Sequence, residues 1–153
     1  MTLTDAEQHF LAAQRHGRLA TIAPDGTPQV KPVGFSYNRE LGTIDIAGMY
    51  MARSAKYKNI QANPNVAFVA DDEPGPDAGA AGVRFLEVRG VAEAVMASPG
   101  PGQSRADELL DPEIIRIRPR RILAFNVDPG RPGLHARDVG GDAVYSARWP
   151  ASS

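Results

Sequence analysis

The chain of 153 residues contains no cysteine. That absence excludes disulfides, thiolate nucleophiles and any zinc or iron–sulfur centre ligated by sulfur. Charge of one sign is also lacking, since 17 Lys+Arg face 18 Asp+Glu for a formal net charge of -1. Bulk electrostatic binding to nucleic acid or to an anionic membrane is therefore not expected, although a local basic patch is compatible with this balance. No apolar run is long enough to span a bilayer, and the N-terminal MTLTDAEQHFLAAQRHGR is too polar for a secretory leader. A cytoplasmic protein is expected by default. Walker-type, HExxH and GxSxG motifs are missing as well. His9, His16 and His135 show no metal-ligand spacing, so no metal is expected.

What the chain does contain suits one domain of ordinary size. Apolar residues make up 42%, enough for a core, and the 15 Gly and 13 Pro favour short strands joined by turns over a helical bundle. Thr4-Asp5-Ala6-Glu7 has the spacing of a capping box, which predicts a helix running to about Arg15 and stopped at Gly17. Strands are predicted over 18–23, 28–37, 43–48, 66–70 and 83–96, with Gly90 marking a bulge in the last. Two further strands, 114–117 and 121–127, are predicted on either side of a break at Pro119. Pro32 lacks a ladder donor, so the 28–37 strand is expected at an edge or at a bulge. A short helix is predicted from Ser54 to Ala62, and a helical turn at 106–110. Pattern alone therefore predicts a mainly β fold, a small β-barrel with short helices, over residues 1–128. Residues 129–153 lack periodicity and read as a tail that is either loose or wraps a partner subunit.

The stretch Arg53-Ser54-Ala55-Lys56-Tyr57-Lys58 carries the most chemical information. Ser54 is a good N-cap, which puts Lys56 and Lys58 in the first helical turn and Arg53 just before it. Cations at that end oppose the helix macrodipole by roughly 0.3–1 kcal/mol each. A bound phosphate would reverse the sign of that cost. The competing reading is a solvated basic surface. Arg116, Arg118, Arg120 and Arg121 form a second basic stripe, read as a solvated face, with acids across a dimer or an anionic tail as its other partners.

The segments RLATIAPDGTPQVKPVGFSYN, TIDIAGM and RSAKYKNIQANPNVAFVADD, followed by GVRFLEVRGVAEAV and IIRIRPRRILAFNV, resemble the pyridoxamine 5'-phosphate oxidase-like split β-barrel superfamily. Within it the chain is most similar to the actinobacterial group that uses the deazaflavin coenzyme F-420. The resemblance covers residues 3–128 and implies an FMN-binding-like split β-barrel and a homodimer with the coenzyme in a groove between subunits. It implies that Lys56 and Lys58 hold the coenzyme phosphate, with Arg53 and Ser54 in the turn leading to them. It implies that Val30, Lys31, Pro32, Val33 and Gly34 run along the ring system, and that Ala47, Gly48 and Met49 border the same groove. The flavin oxidases of pyridoxamine phosphate carry an arginine where Val30 stands and a lysine where Phe35 stands. Those departures argue against that oxidation and favour the deazaflavin over FMN.

The implied activity is hydride transfer between reduced F-420 and a small organic acceptor, with no catalytic acid or base assigned. The 73–82 and 99–112 loops are expected to wall the acceptor pocket. The alternatives are an FMN-dependent reductase or oxidase of the same fold, and a non-catalytic protein that binds the coenzyme or haem.

Overall fold

The computed structural model describes residues 2–74, 82–97 and 111–140. Along the chain they form α1 (Asp5–Ala12), β1 (Gly17–Ile22), β2 (Pro28–Val33), β3 (Ser36–Asn38) and β4 (Thr43–Ile46). A 3-10 turn (Met51–Arg53) and α2 (Ala55–Ala62) follow, then β5 (Asn65–Asp72), β6 (Arg84–Met96), β7 (Glu113–Phe125) and β8 (Leu134–Asp138). The eight strands make one antiparallel sheet in the order β2-β1-β5-β6-β7-β4-β3. Strand β7 pairs with β6 along its length. Its other edge takes β4 at Ile115–Ile117 and β8 at Arg121–Phe125, so one long strand serves two neighbours in succession. The sheet ends in β2 and β3, which do not pair with each other. This is a mainly β, split-barrel architecture rather than a closed barrel.

Alternation explains which faces turn inward. Leu19, Phe68, Leu86, Val88, Ile115, Ile117 and Ile122 are fully buried on one side of their strands. Phe10 and Leu11 of α1 and Ile60 of α2 add to the same core. The capping box forms as its spacing predicts: Glu7 N–H donates to the Thr4 hydroxyl, and Thr4 N–H donates to the Glu7 carboxylate at 2.9 Å. The same carboxylate accepts from Arg137 of β8, which fastens the last described strand to the first helix.

Four sequence expectations need correction. Helix α1 stops at Ala12 rather than near Arg15. The predicted 28–37 strand is two strands, because the chain leaves β1 after Val33 and pairs Ser36–Asn38 with β4 instead. The predicted break at Pro119 is absorbed within continuous β7: Arg89 pairs with Arg121 and Gly90 with Pro119, so Arg120 is the extra residue of a bulge. Residues 134–138 are a strand paired with β7, within the stretch read as aperiodic. Pro32 lies on an edge strand, as its missing donor requires. The predicted turn at 106–110, and most of the 73–82 and 99–112 loops, fall outside the described residues.

Candidate functional site

Helix α2 begins at the Ser54 cap, whose hydroxyl accepts from Tyr57 N–H at 3.3 Å. The preceding turn is clamped to the start of β7. The Asp111 carboxylate accepts from Met51 N–H at 2.7 Å, and Asp111 N–H donates to the Gly48 carbonyl at 3.2 Å. On the opposite face of α2, buried Asn59 donates to the Thr21 hydroxyl at 3.0 Å and to the Gln29 carbonyl oxygen at 2.9 Å. These bonds hold α2 against both β1 and β2. Sequence reading missed Asn59 and Asp111. An amide on the inward face of a short helix was the available signal for the first, whereas the second depends on a contact spanning 60 positions.

This packing brings Lys31 of β2 near Lys56 of α2. Burial, and then repulsion from the Lys31 ammonium, lower the Lys56 pKa from its ordinary value. Seven arginines elsewhere are matched to acids: Arg18, Arg84, Arg89, Arg116, Arg118, Arg121 and Arg137. The Arg116–Arg121 stripe is thus largely neutralised within the chain, by Asp45, Glu93 and Asp138, which is the ion-paired form of a solvated face. Lys31, Arg53, Lys56 and Lys58 have no acid within salt-bridge distance among the described residues. Unmatched cations at a helix start, two of which (Lys31 and Lys56) repel each other, fit an anionic group, and a phosphate there would relieve that repulsion.

The other predicted residues are distributed as follows. Val30, Lys31, Pro32 and Gly34 are exposed on and just beyond β2, while Val33 turns into the core. Ala47 and Gly48 are half-buried just past β4, and Met49 is exposed. A side chain at Gly34 would meet nothing in this chain within 4 Å, and one at Gly48 would make only an ordinary contact with Met51 at 3.5 Å. Neither glycine is demanded by internal packing; open space lies beside the backbone at Gly34, whereas the end of the Met51 side chain stands beside Gly48. Tyr50, also missed from sequence, projects from the same turn. It is exposed, adopts a left-handed φ of 54°, and has the Arg53 guanidinium 6.0 Å from its ring centre.

Of the histidines, His9 lies on α1, His16 just before β1 and His135 on β8, outside the Lys31–Lys56 region. No cluster of metal-ligating side chains occurs among the described residues. No described helix is long and apolar enough to cross a membrane.

Comparison with known proteins adds four similarities. The family model described as pyridoxamine 5'-phosphate oxidase matches residues 3–131. A 5a,11a-dehydrotetracycline/5a,11a-dehydrooxytetracycline reductase of Streptomyces rimosus is 41% identical over 140 residues, covering 91% of this chain and 94% of that protein. Among solved structures, an F420 reductase is 31% identical with a TM-score of 0.58, covering 78% of this chain and 98% of that one. A conserved hypothetical protein from Mycobacterium tuberculosis is 25% identical with a TM-score of 0.62, covering 91% and 93%.

Proposed function

The chain belongs to the pyridoxamine 5'-phosphate oxidase family, and from that premise we propose that it is a reductase that uses the deazaflavin F-420. The identity of 41% to a named reductase, across nearly the whole of both chains, carries the oxidoreductase reading. The likeness to an F420 reductase favours the deazaflavin over FMN. Departures at Val30 and Phe35 from the flavin oxidase pattern point the same way. The proposed acceptor is a conjugated, polycyclic carbonyl compound of the kind named for the Streptomyces relative.

Each part of the site has a separate task in this reading. Lys56 and Lys58, with Arg53 from the preceding turn, hold the coenzyme phosphate. Lys31 adds a fourth positive charge from β2. The exposed backbone from Val30 to Gly34, with open space beside Gly34, gives a planar ring access to main-chain groups, and Gly48 borders the same region without a side chain. When bound, the coenzyme supplies the hydride. The protein contributes orientation, a phosphate anchor and exclusion of water, and no side chain is assigned as acid or base.

A homodimer is part of the proposal. Five of the six residues of β2 are exposed, and Val30 is 61% accessible. Beside it, Ala20, Ala67, Val69 and Phe85 line an almost wholly apolar depression of about 330 Å³. Alternation puts Lys31 on the other side of β2, so a second copy would cover the face opposite the phosphate anchor.

The test is a fluorescence titration with F-420 and, separately, with FMN. Selective F-420 binding that weakens about 10- to 100-fold in Lys56→Ala, the loss of one charge-assisted contact, is expected. Selective FMN binding would replace the coenzyme assignment, and unchanged affinity in Lys56→Ala would remove the phosphate anchor from α2. Binding without turnover of any enone or quinone acceptor would leave a coenzyme-binding protein in place of the reductase.

A further inference from the structure

A second depression lies between α1 and β3, away from the lysine cluster and from the apolar face beside Val30. Its volume is about 560 Å³, within the range of small-molecule sites. Leu11, Phe35 and Tyr37 supply its apolar lining, and His9 and Arg39 supply hydrogen-bond donors. Its aromatic walls are fixed. Phe35 packs edge-on against buried Phe68 with ring centres 4.9 Å apart, and the Tyr37 hydroxyl accepts from Leu3 N–H at 3.4 Å.

The lining carries one acid, Asp5, and one arginine, Arg39, and the two are not ion-paired with each other. Arg39 has no acid within salt-bridge distance among the described residues, although seven other arginines do. Asp5, the acid on the lining, stands in the first turn of α1, where its charge is favoured by the helix dipole. His9 follows it by one turn and faces the same groove. A planar guanidinium at the rim of an aromatic slot recognises an ionised oxygen edge bidentately while the slot takes an apolar ring system.

We infer that the α1–β3 groove binds a flat, amphiphilic molecule carrying an ionised oxygen group, a phenolate, enolate, carboxylate or sulfonate, with Arg39 as its anchor. Phe35 directly follows Gly34, so the groove opens where the ring-bearing stretch of β2 ends. Given the reductase reading on which this assignment of role rests, the groove is the acceptor's binding site, and Arg39 selects acceptors that are anionic at neutral pH.

The probe is 8-anilinonaphthalene-1-sulfonate, a flat aromatic anion whose fluorescence rises on binding, titrated into the full chain, Arg39→Lys and Arg39→Glu. Arg39 is exposed, so both variants should fold, which circular dichroism checks. Arg39→Glu should raise the half-saturation concentration at least tenfold, and Arg39→Lys by a few-fold. Each protein is also titrated with F-420, whose affinity should stay within twofold. Equal probe binding in Arg39→Glu would mean that the dye occupies another surface, and the assignment would fail. It would fail equally if the wild-type chain bound no dye, or if Arg39→Glu weakened F-420 as much as the dye. Loss of F-420 binding by the wild-type chain, with the dye result intact, would overturn the reductase reading and leave the groove standing.

Discussion

Replacing Asn59 by alanine should both destabilise the protein and weaken the coenzyme site. The side-chain amide is buried, and its two hydrogen bonds run to β1 and β2. The partners are affected differently. Gln29 is exposed and can take a water molecule, so losing that bond costs little. The Thr21 hydroxyl is buried and would lose its partner, at about 1–3 kcal/mol. Removing the amide also leaves a small void, adding about 1 kcal/mol. Alanine is the better helix former by about 0.7 kcal/mol, which offsets part of the loss. The net is about 2 kcal/mol, and for a chain of this size about 4–8 °C in Tm. Thermal unfolding followed by circular dichroism would read it, with Gln29→Ala as the control that should shift Tm by under 2 °C. Because Asn59 fixes α2 against the strand carrying Lys31, Asn59→Ala should also weaken F-420 binding several-fold at temperatures where it is fully folded. A Tm within 2 °C of wild type would refute the view that this amide ties α2 to the sheet.

Two further predictions concern the frame around the site. Burial raises the Glu7 carboxyl pKa, but Arg137 and the Thr4 N–H outweigh it and lower the value overall. Glu7 therefore contributes stability that is fully present above the ordinary glutamate pKa of about 4.3 and is lost as pH falls through the lower folded-state value. Glu7→Gln should cost about 2 kcal/mol at pH 7 and flatten the acid limb of a urea-midpoint profile; an unchanged profile would contradict the strap between α1 and β8. Gly90 faces the bulge of β7, where an added Cβ would fall on the Arg118 carbonyl. Gly90→Ala should cost about 1–3 kcal/mol in denaturant unfolding, whereas Gly34→Ala, with open space around it, should stay within about 0.5 kcal/mol.

Local chemistry made much of this protein readable without coordinates. The capping box at Thr4 and Glu7, the Ser54 cap and the edge position of Pro32 each depend on residues a few positions apart. The cations at Arg53, Lys56 and Lys58 stood out for the same reason, since they sit at the end of a helix that disfavours them. Tertiary structure alone decided the partners. Whether the Arg116–Arg121 stripe was neutralised depended on Asp45 and Glu93, brought alongside by strand pairing, and on Asp138 in a strand invisible to periodicity. The split of the 28–37 segment depended on β1 beginning at Gly17, opposite Val33, which leaves Ser36–Asn38 to pair with β4 instead. The approach of Lys31 to Lys56, the Asn59 and Asp111 clamps and the left-handed Tyr50 all arise from chain segments that meet only in the folded state. Helix caps and strand faces are short-range consequences of backbone geometry and solvent. Charge matching and the shape of a binding groove are sums over distant segments, and only the fold brings those segments together.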